Sequence, residues 1–458
     1  ALLPPQAFPP PPRDARLGRP GGGRLKVGYV SSDFFNHPLS HLMQSIFGYH
    51  DRARIDVTCY SLRASDGSAY RQCVESGAET FKECCALSVL DIAKMIHADG
   101  IHVLVNLNGY TKGARNEVFA LRPAPVQLLY LGFPGSMGAD FVDYIVTDQR
   151  ASPSHLAHYY SEKLLWMPNS YFVNDYRRSN PAVSTGILPP ELVSPHWVAA
   201  ASHPPLLSYE WYARSGQAHL LGPREEARAK LGLPPFALLF CCFNQLYKLE
   251  PQTFACWCSI LQQVPNSVLW LLRFPALAEA HILAAAAKAG LARERIIFTD
   301  VADKPVHIAR SSLADLVLDT PMCNGHTTGC DVLWAGVPMI THPMETMCSR
   351  VASSLNHALG MEQCNVPDMA HYVQLAVSLA SDRPRLLRLR QQLWEKRLTT
   401  PLFDTRRWTK EWENSLLAAW AQHASGQPPC HLEAAPLTEE ELRQVDELNA
   451  QDEAQRAA

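Results

Sequence analysis

A chain of 458 residues exceeds what one ordinary core organises, and 47 % hydrophobic with 19 % charged residues excludes a disordered chain or a highly charged coiled coil. The formal charge of −3 leaves no broad basic field for nucleic acid or anionic lipid. The 13 cysteines are scattered without a C-x-x-C pair and read as reduced thiols rather than zinc ligands. No apolar stretch approaches the ~20 residues that span a bilayer, and the Pro-rich start lacks the apolar core of a signal peptide. Cytoplasm and nucleus are the expected compartments, with no membrane partner.

Residues 1–23, with proline at 9–12 and glycine at 21–23, read as a linker, because neither a helix nor a central strand tolerates that composition. Short apolar runs follow at 25–30, 55–62, 101–107, 126–131 and 144–147, with helical stretches such as 87–98 between them. Alternating strand and helix predicts a parallel sheet covered on both faces, here an N-terminal lobe over 24–180. Residues 181–223, rich in Pro, Ala, Ser and His, read as a connection. A second series, with strands beginning near 236, 267, 295, 314 and 337, predicts another doubly wound lobe over 224–425. Residues 426–458 read as a polar tail with a short helix near 438–448, and no internal repeat is visible.

The chemistry concentrates where strands pass into helices. Residues 319–331 follow a strand and open a helix, a setting whose free N–H groups and dipole suit a diphosphate. Thr327 and Thr328 add hydroxyls, and Asp331 lies one turn on, placed to accept from ribose; read alone, the segment is equally a threonine N-cap with a helix-end aspartate. Gln245 and Lys248 follow the first strand of the second lobe, where a cation neutralises charge on a leaving phosphate. The segment 301–310 offers Lys304, His307 and Arg310 around a planar base such as uracil, against the plainer reading of a capping or buried histidine.

In the first lobe, Asp33, His37 and His41 are spaced four apart beside Pro38 at a helix start. A metal site is the rival reading, but the H-E-x-x-H glutamate and a distant ligand are missing, so acid–base or orienting work is preferred. Lys112 and Arg115 follow another strand end, and residues 131–135 form a Gly/Pro turn that permits close backbone approach.

Ser32-Asp33, Asn36-His37-Pro38, Asn108 to Ala124, Cys242 to Lys248, Val264 to Pro275 and Asp319 to Pro338 together resemble the protein O-GlcNAc transferases, inverting nucleocytoplasmic enzymes. The resemblance runs from about Arg24 to about Gly426. It implies GT-B architecture, two Rossmann-like lobes facing across an interlobe cleft, with the acceptor on the first lobe and the UDP-sugar on the second. It also implies GlcNAc transfer from UDP-GlcNAc to Ser/Thr hydroxyls of proteins or peptides. By resemblance, Gln245, Lys248, Thr327 and Thr328 hold the diphosphate and Asp331 the ribose. Ala302, Lys304, His307 and Arg310 surround uracil. Leu131, Gly132, Cys323 and His326 line the sugar pocket, and His37 lies close to the reacting centre. The base is Asp33 through water, His37, or a donor phosphate oxygen. No D-x-D element is apparent, so neither metal nor other cofactor is expected, Lys248 and the helix dipole serving instead.

The chain departs from the family in carrying no tetratricopeptide repeats, in Phe35 and Leu39, and in lacking the large interlobe insertion, an arrangement like that of plant members. An O-fucosyltransferase using GDP-fucose, and a nucleotide-sugar-binding scaffold without turnover, are the alternatives.

Overall fold

The first strand, β1 (Leu25–Ser31), buries every residue except the half-buried Lys26, as a strand covered on both faces must. In this computed structural model, which describes residues 8–180, 214–215 and 222–457, it is followed by β2 (Ile55–Ser61), β3 (Thr80–Glu83), β4 (Val103–Asn106), β5 (Val126–Leu129), β6 (Tyr144–Asp148) and β7 (Lys163–Met167). Then come β8 (Leu238–Cys242), β9 (Ser267–Leu272), β10 (Ile296–Thr299), β11 (Leu316–Leu318), β12 (Met339–Ile340) and β13 (Leu432–Glu433).

They form two parallel sheets, ordered β13-β7-β6-β5-β4-β1-β2-β3 and β10-β9-β8-β11-β12. The strand order reverses between β1 and β4 in the first sheet and between β8 and β11 in the second. Such reversals leave a crevice outside the strands' carboxyl ends, where doubly wound folds bind ligands.

The chain divides into two compact units, residues 1–175 with 401–458, and residues 176–400. The second unit therefore ends at 400 rather than at the expected 425, and the polar tail at 426–458 belongs with the first unit. The helix Thr405–Ala424 returns to the first unit, where Trp412 Nε1 donates to the Tyr29 hydroxyl at 2.7 Å and Trp408 Nε1 to the Ser170 carbonyl at 3.1 Å. β13 then adds to β7, with Leu432 paired to Leu165. The helix Glu439–Ala457 is tied back by Arg406 and Asp452 at 2.8 Å.

The expected linker has neither helix nor strand over its described residues, yet it is packed rather than free. The Phe8 ring lies 4.8 Å from the His97 ring, and the Asp14 carbonyl accepts from Trp420 Nε1 at 2.9 Å. The connection at 181–223 lies for the most part outside the described residues.

The second unit is anchored at the amino ends of its strands by one buried carboxylate. Asp315, just before β11, accepts from Arg224, from Arg228 at 2.9 Å and from the Leu239 amide at 2.7 Å, with Arg390 at 3.5 Å. This cluster and the ligand-competent carboxyl edge occupy opposite ends of the same sheet.

Candidate functional site

In the first unit, the residues just past β1 and β4 meet at the reversal of strand order. The Ser32 amide donates to Asn108 Oδ1 at 2.8 Å, while Asn108 Nδ2 donates to Asp33 Oδ2 at 2.8 Å. Ser32 Oγ donates to the other carboxylate oxygen at 3.0 Å. Asp33 is thereby fixed, and it is only 6 % exposed. Burial pushes its pKa above the usual carboxylate value, partly opposed by His37 and by the Ser32 and Asn108 donors.

His37 caps the helix Pro38–Met43, its Nδ1 accepting from the Leu39 amide at 3.2 Å and lying 3.9 Å from Asp33 Oδ2. Burial lowers its pKa, with Asp33 acting in the opposite sense, so the ring is neutral near pH 7. A neutral ring that accepts at Nδ1 carries its hydrogen on Nε2 and presents a donor there.

His41 does not join them. Its Nε2 pairs with Asn36 Oδ1 at 2.8 Å, and its ring lies 4.1 Å from that of Tyr70. Asp33, His37 and His41 thus do not form one ligand set, and among the described residues no group of three His, Cys, Asp or Glu is arranged to hold a metal. Arg115 is likewise committed elsewhere, to the carbonyls of Leu87 at 2.8 Å and Cys85 at 2.9 Å.

The turn after β5 holds Leu131 in the left-handed region at φ 64°. Such backbone in a non-glycine residue persists only where its surroundings enforce it. Gly132 follows so close to β4 that a Cβ there would meet the Leu107 carbonyl oxygen at 2.0 Å, so glycine alone fits.

In the second unit, the carboxyl ends of β8 and β11 are joined by side chains that the sequence reading passed over. Asn244 Nδ2 donates to Asp319 Oδ1 at 3.2 Å and to Thr320 Oγ1 at 2.8 Å. Asp319 also receives the Gly325 amide at 2.7 Å and the Thr341 hydroxyl at 2.8 Å. Burial pushes its carboxyl up to about 6 despite these donors.

Over this frame, the ammonium of Lys248 donates to the Asn324 carbonyl at 2.7 Å, just ahead of the helix Thr327–Trp334. His326 Nε2 donates to the Cys348 carbonyl at 3.0 Å. Burial, then the nearby Lys248 charge, bring the His326 pKa down to about 3, so that ring is neutral. Thr327 and Thr328 open the helix, Cys323 is half-buried beside Lys248, and Gln245 is exposed before the turn Leu246–Lys248.

Asp331 is less available than expected. It is 7 % exposed and accepts from the Tyr176 hydroxyl at 2.6 Å, with Lys304 Nζ at 3.3 Å and His307 Nε2 at 3.9 Å. Lys304 Nζ also donates to the Tyr176 oxygen at 3.0 Å. Arg310 lies 3.3 Å from His307 Nδ1, whose ring meets Phe243 edge-on at 5.2 Å. Ala302 is half-buried just before the helix Lys304–Ser311.

The second unit thus gathers a cation and a helix start around one edge, and beside them a partly buried wall of Lys304, His307, Arg310 and Asp331. Cations and N–H dipoles at a strand's carboxyl edge suit a nucleoside diphosphate. Asn244, Asp319 and Asn324 lie within the segments singled out in the sequence but without an assigned role, and Tyr176 and Cys348 join the arrangement from outside them.

The chain is 49 % identical over 423 residues to the probable UDP-N-acetylglucosamine–peptide N-acetylglucosaminyltransferase SEC of Arabidopsis thaliana, covering 92 % of this chain and 40 % of that protein. It is 39 % identical to the UDP-N-acetylglucosamine–peptide N-acetylglucosaminyltransferase of Caenorhabditis elegans, covering 91 % of this chain and 42 % of the relative. The chain therefore spans about two fifths of the length of these relatives. Among solved structures, a mutant O-GlcNAc transferase of Thermobaculum terrenum superposes with a TM-score of 0.72 at 24 % identity, over 91 % of this chain and 70 % of the other. That likeness concerns the fold, and with the two parallel sheets it makes the fold class GT-B. The profile of glycosyl transferase family 41 matches residues 12–188 and 216–412, most of both units, and the chain belongs to that family.

Proposed function

We propose that this chain transfers N-acetylglucosamine from UDP-GlcNAc to serine or threonine hydroxyls of proteins, with inversion at the anomeric carbon. The observation that carries the proposal is the Lys248 ammonium, held on the Asn324 carbonyl at 2.7 Å beside the start of the helix Thr327–Trp334. The names of the two relatives, both UDP-N-acetylglucosamine–peptide N-acetylglucosaminyltransferases, support the same donor and a peptide acceptor.

In this scheme the acceptor oxygen attacks from the face opposite UDP, and the bond to the diphosphate breaks. Lys248 and the helix start, with Gln245, Thr327 and Thr328, stabilise the departing charge. Lys304, His307, Arg310 and the backbone at Ala302 frame uracil. Asp331 acts on ribose as part of the network that Tyr176 and Lys304 complete. Leu131, Gly132, Cys323 and His326 are assigned to the sugar. His37, with its hydrogen on Nε2, is a hydrogen-bond donor, which leaves Asp33 through water or a donor phosphate oxygen to receive the acceptor's proton.

Calorimetry with UDP-GlcNAc, UDP and GDP-fucose beside a peptide transfer assay tests the proposal. The expected result is binding of both uridine ligands and GlcNAc transfer. Preference for GDP-fucose would assign another donor, and UDP binding without turnover would make the chain a scaffold.

The transfer is assigned to this chain's own groups without a metal. Saturating EDTA is expected to leave the rate unchanged, and loss of activity restored by added Mn²⁺ or Zn²⁺ would contradict that assignment. We assign the protein to the cytoplasm and nucleus, a compartment in keeping with thirteen free cysteines. Fractionation of cells expressing the tagged protein tests this, and recovery in the secretory lumen would refute it.

A further inference from the structure

The loop between β11 and the helix Thr327–Trp334 carries Cys323, and the short turn Met347–Ser349 carries Cys348. The two segments lie side by side. The Asn324 amide donates to the Cys348 carbonyl at 2.9 Å, and Cys348 Sγ lies 3.5 Å from the Met322 carbonyl oxygen. Cys348 therefore touches the residues on either side of Cys323, and each thiol shifts the ionisation of the other. Both cysteines are half-buried, whereas Cys59, Cys84, Cys241, Cys242, Cys258, Cys330 and Cys364 are buried.

We propose that Cys323 and Cys348 form a reversible disulfide in response to a hydroperoxide, and that this bond weakens donor binding. The location at the donor site rests on the proposed function, whereas the pairing of the thiols does not.

Cys348 is the nucleophile. The neighbouring Cys323 thiol, helped by the Thr346 hydroxyl at 3.3 Å and the Lys248 charge, brings its thiol down to about 6 against the effect of burial. Much of it is thiolate near neutral pH, the form that attacks peroxide. Its sulfur bonds to one peroxide oxygen as the O–O bond breaks, and the other oxygen leaves as hydroxide and takes a proton to become water. The Cys323 sulfur, giving up its proton, then displaces hydroxide from the Cys348 sulfenic acid, which leaves as the second water. Two thiols are oxidised by two electrons and one hydroperoxide is reduced.

Closing the bond draws the two sulfurs together to ~2.05 Å. The carbonyls displaced belong to Asn324, which holds Lys248, and to Cys348, which receives the Asn324 amide and His326. Disturbing one hydrogen bond to a charged group corresponds to a loss of roughly tenfold in UDP affinity.

The experiment treats the full chain with one equivalent of hydrogen peroxide and divides it. One portion is unfolded, alkylated and mapped by peptide mass spectrometry, and the other, still folded, goes to UDP calorimetry, each before and after dithiothreitol. The expected result is loss of two of the thirteen alkylatable thiols, a cross-linked peptide pair containing Cys323 and Cys348, and UDP binding weakened about tenfold and restored by dithiothreitol. In Cys348→Ala and Cys348→Ser, each compared with its own reduced form, Cys323 stays alkylatable and peroxide leaves UDP affinity unchanged.

Oxidation of another cysteine first, or Cys348 running to sulfinic acid without the cross-link, would overturn the pairing. A cross-link that leaves UDP affinity unchanged would overturn its effect on the donor. A reduced chain that binds no UDP would instead overturn the proposed function and leave the thiol chemistry standing.

Discussion

Replacing Lys248 with methionine is expected to reduce transfer by ~10²-fold or more while leaving the protein folded. Lys248 ends the short turn Leu246–Lys248 after β8, half-buried, and its ammonium donates to the Asn324 carbonyl at 2.7 Å. Methionine keeps most of the stem and removes the charge. The loop it contacts remains held by the Gly325 amide on Asp319 and by Asn324 Nδ2 on the Thr320 carbonyl at 3.0 Å. The cost to folding is therefore one hydrogen bond from a charged donor, about 1.5–3 kcal/mol. The cost to catalysis is larger, because the ammonium is positioned before the reaction to meet charge that develops as the diphosphate leaves. The measurement is single-turnover transfer beside a thermal melt and UDP calorimetry. A folded Lys248→Met protein with wild-type turnover would remove Lys248 from the mechanism, and one that no longer melts cooperatively would make Lys248 a structural residue.

Strand interiors were legible because a strand buried on both faces is a continuous apolar run: β9 at Ser267–Leu272 has the expected bounds, and β1 extends only to Ser31. The edge strand β3, Thr80–Glu83, has no such run, since none of its residues is buried. The segments bearing Lys248, Thr327 and Lys304 were legible as strand-to-helix passages. Their partners were not, because the bonds join residues remote in sequence: Tyr176 to Asp331, Asn244 to Asp319, and Cys348 to His326. The same cause hid the return of the C-terminal segment. Composition marks residues 426–458 as polar, but Leu432 pairs with Leu165 and His431 Nδ1 accepts from the Leu164 amide, contacts between residues far apart in the chain. His37 and His41 show the complementary failure, in which correct helical spacing suggested a shared ligand set and the rings turned to different partners.

Asp315→Asn is expected to destabilise the second unit by about 3–5 kcal/mol, the range for removing one partner from a buried ion cluster. The carboxylate receives Arg224 and Arg228 and faces Arg390 at 3.5 Å, all of them buried. Asparagine preserves the volume and one acceptor, so the loss isolates the charge rather than a cavity. Three guanidiniums would then remain in the interior without their counter-charge, which costs far more than an exposed pair is worth. Burial alone would push the Asp315 carboxyl up, but Arg228, Arg224 and Arg390 overcome it and hold the group well below its ordinary value of 3.8. A depressed folded pKa contributes stability that is present above the unfolded value and lost as pH falls through the folded one. The gap between wild type and Asp315→Asn should thus be constant from neutral pH down to about 4 and narrow only in stronger acid. Because two units need not unfold together, the measurement is hydrogen exchange at the β8 and β11 amides, which reads opening of this unit by itself. The carboxyl edge lies at the other end of the same strands, so protein that remains folded should still bind UDP. Unchanged protection at Leu239 and Val317 would show that the arginines are held by their carbonyl acceptors at Leu313, Pro235 and Ala237, and that the carboxylate is dispensable.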